Sequence, residues 1–287
     1  MSRTNFDVTE VICPSLTTTF PEIGEAHLFG RPRDWTPCDS TWQSLASFCS
    51  SFYVWEVLAP RPSLGAAVDV IAKRETLTEV QTFSCDSINF SVRRGMDAHL
   101  VELQPGEAGC YFTADCPCLI AKDMDSGVAF FAHAGRGCLL NEDSFHRGGD
   151  YQHKSIVGTI MERFKDSLNV QVRVICGIAA KYFAHPANHP EHGTLNHRRT
   201  SWVASFWGMR CLEGDIGDGR LCLKTLIREQ FTDPLGFGFY LPEENVRVDD
   251  IDTFSDKDAA GDFRWHSCRR DWKGGHQPLN GVLFVNC

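Results

Sequence analysis

The chain has 287 residues, 43% of them apolar and 23% charged, with no low-complexity tract, which is ample length for a globular core. A net charge of −9 and a pI near 5.6, with no block of basic residues, exclude binding to nucleic acid or an anionic membrane through a general positive field. No apolar run approaches membrane-spanning length and the opening MSRTNFDVTEVICPS lacks the apolar core of a secretory signal, so a cytoplasmic protein is expected.

In chain order, residues 1–65 are weakly patterned, with His27-Leu28-Phe29 a short apolar segment stopped by Gly30. Trp42, Leu45, Ala46 and Cys49 recur at helical spacing and predict a helix over residues 40–52. Ala59-Pro60-Arg61-Pro62 reads as a turn, because the residue before each proline is pushed out of the helical region. Strands are predicted over 67–71, 80–83 and 88–92, then a loop over 93–97, with Gly106 and Gly109 bracketing the next entry. Two short apolar runs, 118–121 and 128–132, flank a polar turn and predict a buried hairpin. Residues 141–151, with His146 and three glycine or arginine neighbours, form a loop.

The stripe Ile156, Val157, Ile160, Met161, Phe164 and Leu168 predicts a helix over 153–168. Val170, Val172 and Val174 alternate with polar residues and predict a strand over 170–178. Residues 184–200 concentrate His185, His189, His192 and His197. Pro186 and Pro190 break any helix that would align these imidazoles, so a polar loop is expected there, with a metal site as the alternative. Leu223, Leu226 and Ile227 predict a helix over 219–230, and a strand over 246–250 precedes a tail rich in Trp, Arg and Gly. The order of elements implies an α/β (α+β) fold, mixed β-sheets packed together and flanked by helices, in one domain over residues 1–287. Thirteen cysteines, an odd and irregularly spaced set, read as mostly reduced, buried thiols, with Cys13, Cys49, Cys176, Cys222 and Cys287 in or beside apolar runs.

A hairpin folds back on itself, so Cys116, just before its first strand, and His133, at the end of its second, are expected to face one another at its open end. Three chemistries suit such a pair. Thiolate and imidazole serve as zinc ligands, catalytic zinc commonly taking three protein ligands and leaving one position open. The imidazole also activates a thiol as nucleophile. The third possibility is that both are structural.

Thr113-Ala114-Asp115-Cys116 followed by His133-Ala134-Gly135-Arg136-Gly137 resembles the ADC and HAG-W-R-G signatures of the laccase-domain (YfiH-like, multicopper polyphenol oxidase) family. Asp97-Ala98 stands at the family's ADA motif, Ile175-Cys176-Gly177-Ile178 at its Gly-Pro-x-Ile turn without the proline, and Asp252-Thr253 at its Cys-Thr. His266-Ser267-Cys268-Arg269-Arg270-Asp271 is similar to its F-S-x-R-R-D/E segment. The match covers residues 70–287, and residues 27–31 less closely.

The resemblance implies a fold related to the catalytic domain of cytotoxic necrotizing factor toxins, which are Cys/His glutamine deamidases. It implies zinc, with copper less favoured, and action on purine nucleosides by phosphorolysis with phosphate or by adenosine deamination. Carried over by position, Cys116 and His133 are two metal ligands, Asp115 and Arg136 join them as catalytic residues, and Arg269, Arg270 and Gly177 contact substrate. The family's third ligand, a histidine in a V-H-G/S motif, is replaced in Val80-Gln81-Thr82, and a neutral amide is a poor zinc ligand. Cys85, His99, Cys118 and His146 are the candidates to replace it. The family's tryptophan between Gly135 and Arg136 is also missing. A metal-independent Cys/His deamidase or transglutaminase acting on a partner protein, and a scaffold without catalysis, stay open beside the nucleoside enzyme.

Overall fold

The computed structural model describes the chain outside residues 1–13, 53, 55, 61–70, 77–78, 86–87, 95–98, 141–154, 184–192, 234–239 and 273–276. The first half runs β1 (Leu16–Phe20), β2 (Gly24–Phe29), α1 (Asp39–Cys49), β3 (Glu56–Leu58), β4 (Ile71–Ala72), β5 (Glu79–Cys85), β6 (Ile88–Arg94), β7 (Leu100–Leu103), β8 (Ala108–Thr113), β9 (Cys118–Asp123) and β10 (Ala129–His133). There follow α2 (Arg136–Leu140), α3 (Ile156–Arg163), β11 (Val170–Ile175), α4 (Ala180–Phe183), α5 (Gly193–Trp207), α6 (Leu223–Thr232), β12 (Val246–Val248), α7 (Cys268–Asp271) and β13 (Asn280–Asn286).

The strands form two mixed sheets, one ordered β1-β2-β13-β8-β3-β6-β5 and the other β12-β11-β9-β10-β7-β4. They pack face to face. Leu28, Leu58, Tyr111, Val282 and Phe284 from the first sheet meet Val101, Leu103, Ile120, Ala129 and Phe131 from the second. The outer face of the first sheet is covered by Trp42, Leu45, Ala46 and Cys49 of α1. The outer face of the second is covered by α2, α3 and α6 through Leu139, Ile160, Leu226 and Ile227. Such a helix–sheet–sheet–helix arrangement buries both faces of both sheets, which is why strands such as β9 and β13 read as continuous apolar runs. Among the described residues no helix is long and apolar enough to cross a membrane.

The predicted hairpin is β9 and β10, antiparallel from Ala129 opposite Lys122 to His133 opposite Cys118. Its turn is built by Gly127 at φ +74°, which glycine tolerates at no steric cost, and by the Asp123 carboxylate accepting from the Asp125 N–H and the Ser126 hydroxyl. The sheets approach closely beside it: a Cβ on Gly109 would stand 2.6 Å from Phe131 Cδ1. Gly109 thus lies within β8, the strand that precedes the hairpin.

Other boundaries move for identifiable reasons. Ser155 caps α3 by accepting from the Gly158 N–H, and the helix ends at Arg163, so Leu168 is 95% exposed instead of joining the apolar stripe. Positive φ at Cys176 and Gly177 ends β11 at Ile175. The predicted helix over 219–230 starts later, at Leu223, because Gly219 is left-handed and Leu221 bridges Leu212.

The polar loop expected over 184–200 is helical from Gly193 onward, since both breaking prolines precede it. His197 sits on α5, while His185, His189 and His192 lie outside the described residues. α1 ends at Cys49 and β12 at Val248, each shorter than its pattern. Among the cysteines read as buried, Cys49 and Cys176 are buried, Cys222 is half-buried and Cys287 is exposed; Cys13 lies outside the described residues. The expected loops over 93–97 and 141–151 fall mostly or wholly outside them as well. The tail expected after residue 250 contains β13, the strand that joins β2 to β8.

Candidate functional site

The site forms where the hairpin opens. His133 ends β10 and donates its backbone N–H to His99 O at 3.0 Å, one step beyond the Ala132–Leu100 pair of the β10–β7 ladder. That cross-strand step brings the two imidazoles together, with Nδ1 atoms 3.2 Å apart and ring planes 25° from parallel. The chain then turns on Gly135, whose carbonyl accepts from the N–H groups of Cys138 and Leu139, and α2 carries Cys138 back toward His133. His99, His133 and Cys138 offer ligand atoms that all lie within 4.8 Å of one another.

Cys116 stands beside this cluster. Its backbone carbonyl accepts from the Thr113 hydroxyl at 2.8 Å. A Cβ on Gly135 would meet Cys116 Sγ at 3.1 Å and His133 Cε1 at 3.3 Å, so the sulfur and the imidazole converge on one point, as the folded-back hairpin requires. Both side chains keep part of their surface exposed although atoms pack densely around them. Burial pushes the Cys116 thiol up to about 12, reinforced by Asp115 and Cys268 and opposed by Arg136 and Arg269. Burial, with His99 adding to it, lowers His133 to about 3, so its imidazole is neutral.

Asp115 ties this loop to the C-terminal segment. One carboxylate oxygen accepts from the Thr253 hydroxyl at 2.9 Å, the other from the Arg269 N–H at 3.0 Å. Burial raises its pKa while these bonds oppose the rise. Arg269 donates through Nε to Phe183 O at 3.0 Å, and the guanidinium carbons of Arg136 and Arg269 each lie 5.8 Å from the centre of the Phe183 ring. Arg270 faces another way. Its guanidinium donates to the carbonyls of Thr253, Phe254 and Trp265 and to Asp271, and stacks 3.9 Å over Phe263. Gly177, at φ +107°, packs against Pro117 next to Cys116. An open cleft of about 1060 Å³ lined by Arg31, Arg264, His266 and Asp271 includes neither Cys116 nor His133.

Of the candidates for the missing ligand, His99 joins the cluster. Cys118 is buried between the sheets, Cys85 ends β5, and His146 lies outside the described residues. Gln81 lies on β5, an edge strand of the first sheet, opposite Val92. Cys138 was not singled out from sequence; its signal was its place one short turn after HAG. Two imidazoles and a thiol within this span fit a borderline-soft divalent metal. On a tetrahedral zinc with Zn–N bonds of about 2.0–2.1 Å, two nitrogens stand about 3.3 Å apart.

No family model matches the sequence, and no curated protein matches it. Solved structures do match. The Bacillus licheniformis hypothetical protein YfiH is 12% identical with a TM-score of 0.57, over 91% of this chain and 92% of that one. YlmD from Geobacillus stearothermophilus is 12% identical with a TM-score of 0.52, over 93% and 94%. A Neisseria meningitidis protein of the DUF152 family model is 14% identical with a TM-score of 0.54, over 95% and 99%. By its likeness to these structures over most of its length, this chain has the laccase-domain, YfiH-like fold.

Proposed function

We propose that this chain is an enzyme acting on purine nucleosides, by phosphorolysis or by adenosine deamination, with a divalent metal, zinc before copper, at the open end of the β9–β10 hairpin. The observation that carries the reading is the His99, His133 and Cys138 cluster with two guanidiniums nearby, Arg136 and Arg269, each 5.8 Å from the centre of the Phe183 ring. A bound zinc would supply Lewis acidity. The chain's own residues do the rest. Arg136 and Arg269 hold phosphate or ribose oxygens by charge-assisted bonds, and Gly135 keeps the space between Cys116 and His133 unfilled. Asp115 sets the height of Arg269 through the backbone N–H, a positioning role.

The metal-free amide-hydrolase reading finds less support. It needs a thiolate paired with an imidazolium, whereas His133 turns Nδ1 toward His99 at 3.2 Å and burial disfavours charge on both the Cys116 thiol and the His133 ring. The test is incubation of zinc-loaded protein with adenosine, and with inosine plus phosphate, followed by chromatography of the products. Release of inosine from adenosine, or of a free base with ribose 1-phosphate, abolished by His133→Ala, is the expected result. No conversion of either nucleoside by loaded, folded protein rejects the reading.

A further inference from the structure

We propose that the metal centre of this chain is built on His99, His133 and Cys138, with the Cys116 thiol outside the coordination sphere. The assignment deepens the metal-enzyme reading above by naming the ligands, and its test does not depend on nucleoside turnover.

The donor set is the first argument. Two imidazoles and one thiol match a His₂Cys zinc site with a fourth position open, and their ligand atoms lie within 4.8 Å of one another. Among the described residues no group that includes Cys116 meets that criterion. Thiolate and imidazole ligands together favour zinc or its spectroscopic stand-in cobalt over the hard, oxygen-seeking cations magnesium and calcium.

Placement is the second argument. A metal site needs ligands held by rigid elements. His133 closes β10, His99 abuts β7, and the bond from His133 N–H to His99 O fixes their relative height. Cys138 sits in α2, whose first turn is pinned to Gly135 O by two N–H groups. His99 and Cys138 are each 2% exposed, while His133 keeps an accessible part, so solvent reaches the cluster from the His133 side.

In the absence of an ion, one Nδ1–H of the His99–His133 pair donates to the other nitrogen; a cation takes the place of that shared proton.

The experiment uses the full chain, stripped with a chelator and titrated with Co²⁺, reading the thiolate-to-cobalt charge-transfer band, with zinc stoichiometry from elemental analysis of the zinc-loaded form. One equivalent of metal with a charge-transfer band is expected. Cys138→Ser abolishes the band, and His99→Asn weakens cobalt binding by about 100-fold or more, since even outer partners of a ligand cost about 10–100-fold. Cys116→Ser keeps the band and binds within about threefold of the parent. Loss of the band in Cys116→Ser, or its survival in Cys138→Ser, overturns the assignment, as does parent protein that takes up no cobalt. If Cys138→Ser fails to fold, as judged by thermal melting, Cys138→Ala and His99→Asn carry the same test. Retained cobalt spectra without nucleoside turnover reject the substrate and leave the site in place.

Discussion

His99 and His133, distant in sequence, place their Nδ1 atoms 3.2 Å apart because they occupy adjoining positions at the ends of neighbouring antiparallel strands. That contact is a property of strand pairing. β7 and β10 each bring one imidazole to the same end of the six-stranded sheet, and the short turn through Gly135 adds Cys138.

Gly135→Ala tests how tightly the site is packed. The new methyl would press on Cys116 Sγ at 3.1 Å and His133 Cε1 at 3.3 Å. Displacement of the His133 ring by a few tenths of an ångström is expected to weaken cobalt or zinc binding by about tenfold, while the overpacking lowers stability by about 1–3 kcal/mol. Metal titration and urea denaturation on the same protein check both halves.

Arg269 and Arg270 are adjacent yet predicted to behave oppositely. Arg269→Ala should raise KM for phosphate by roughly 10–100-fold, the worth of a charge-assisted bond, and cost about 1.5 kcal/mol of stability through the lost bond to Phe183 O. Arg270→Lys should leave KM unchanged and cost roughly 2–4 kcal/mol, because an ammonium cannot reach three carbonyls and a carboxylate at once. Steady-state kinetics beside chemical denaturation separates the two.

Asp271 governs part of the acid limb. Burial alone would raise its carboxyl, but hydrogen bonds from Arg270, the Ser267 N–H and Arg31 outweigh it and hold the pKa at about 2. The unfolded chain protonates this group near pH 4, so its contribution is complete above about pH 4 and is lost as pH falls toward 2. Allowing for screening, that contribution is roughly 1–2 kcal/mol. Asp271→Asn is expected to lower stability by this amount at pH 7 and by little at pH 2, measured by urea denaturation at both.

Gly109→Ala probes the contact between the sheets. A methyl 2.6 Å from Phe131 Cδ1 forces a fully buried ring to move, at a cost of about 1–3 kcal/mol. Adding Phe131→Leu should recover part of that loss, a coupling visible in a double-mutant cycle.

The sequence alone determined the hairpin, α3 and β11, because the first is two continuous apolar runs about a polar turn, the second a stripe at helical spacing and the third a run of valines at every other position. It also pointed to Cys116 and His133 at one end of that hairpin, since the two ends of a folded-back pair must meet. β13 was illegible as a sheet-forming element: its seven buried residues follow a tail of Trp, Arg and Gly, and only its partners β2 and β8, far away in the chain, give it a place.

The cluster shows the same division. His99 appeared in the sequence as one of four candidate ligands, and nothing local ranked it above Cys85, Cys118 or His146. The pairing of β7 with β10 made that choice, and the turn at Gly135 brought in Cys138. Register between strands is set by which faces the whole core can bury, a sum over residues from the entire chain. No stretch of sequence holds that sum, so the tertiary structure alone decided which side chains share the site.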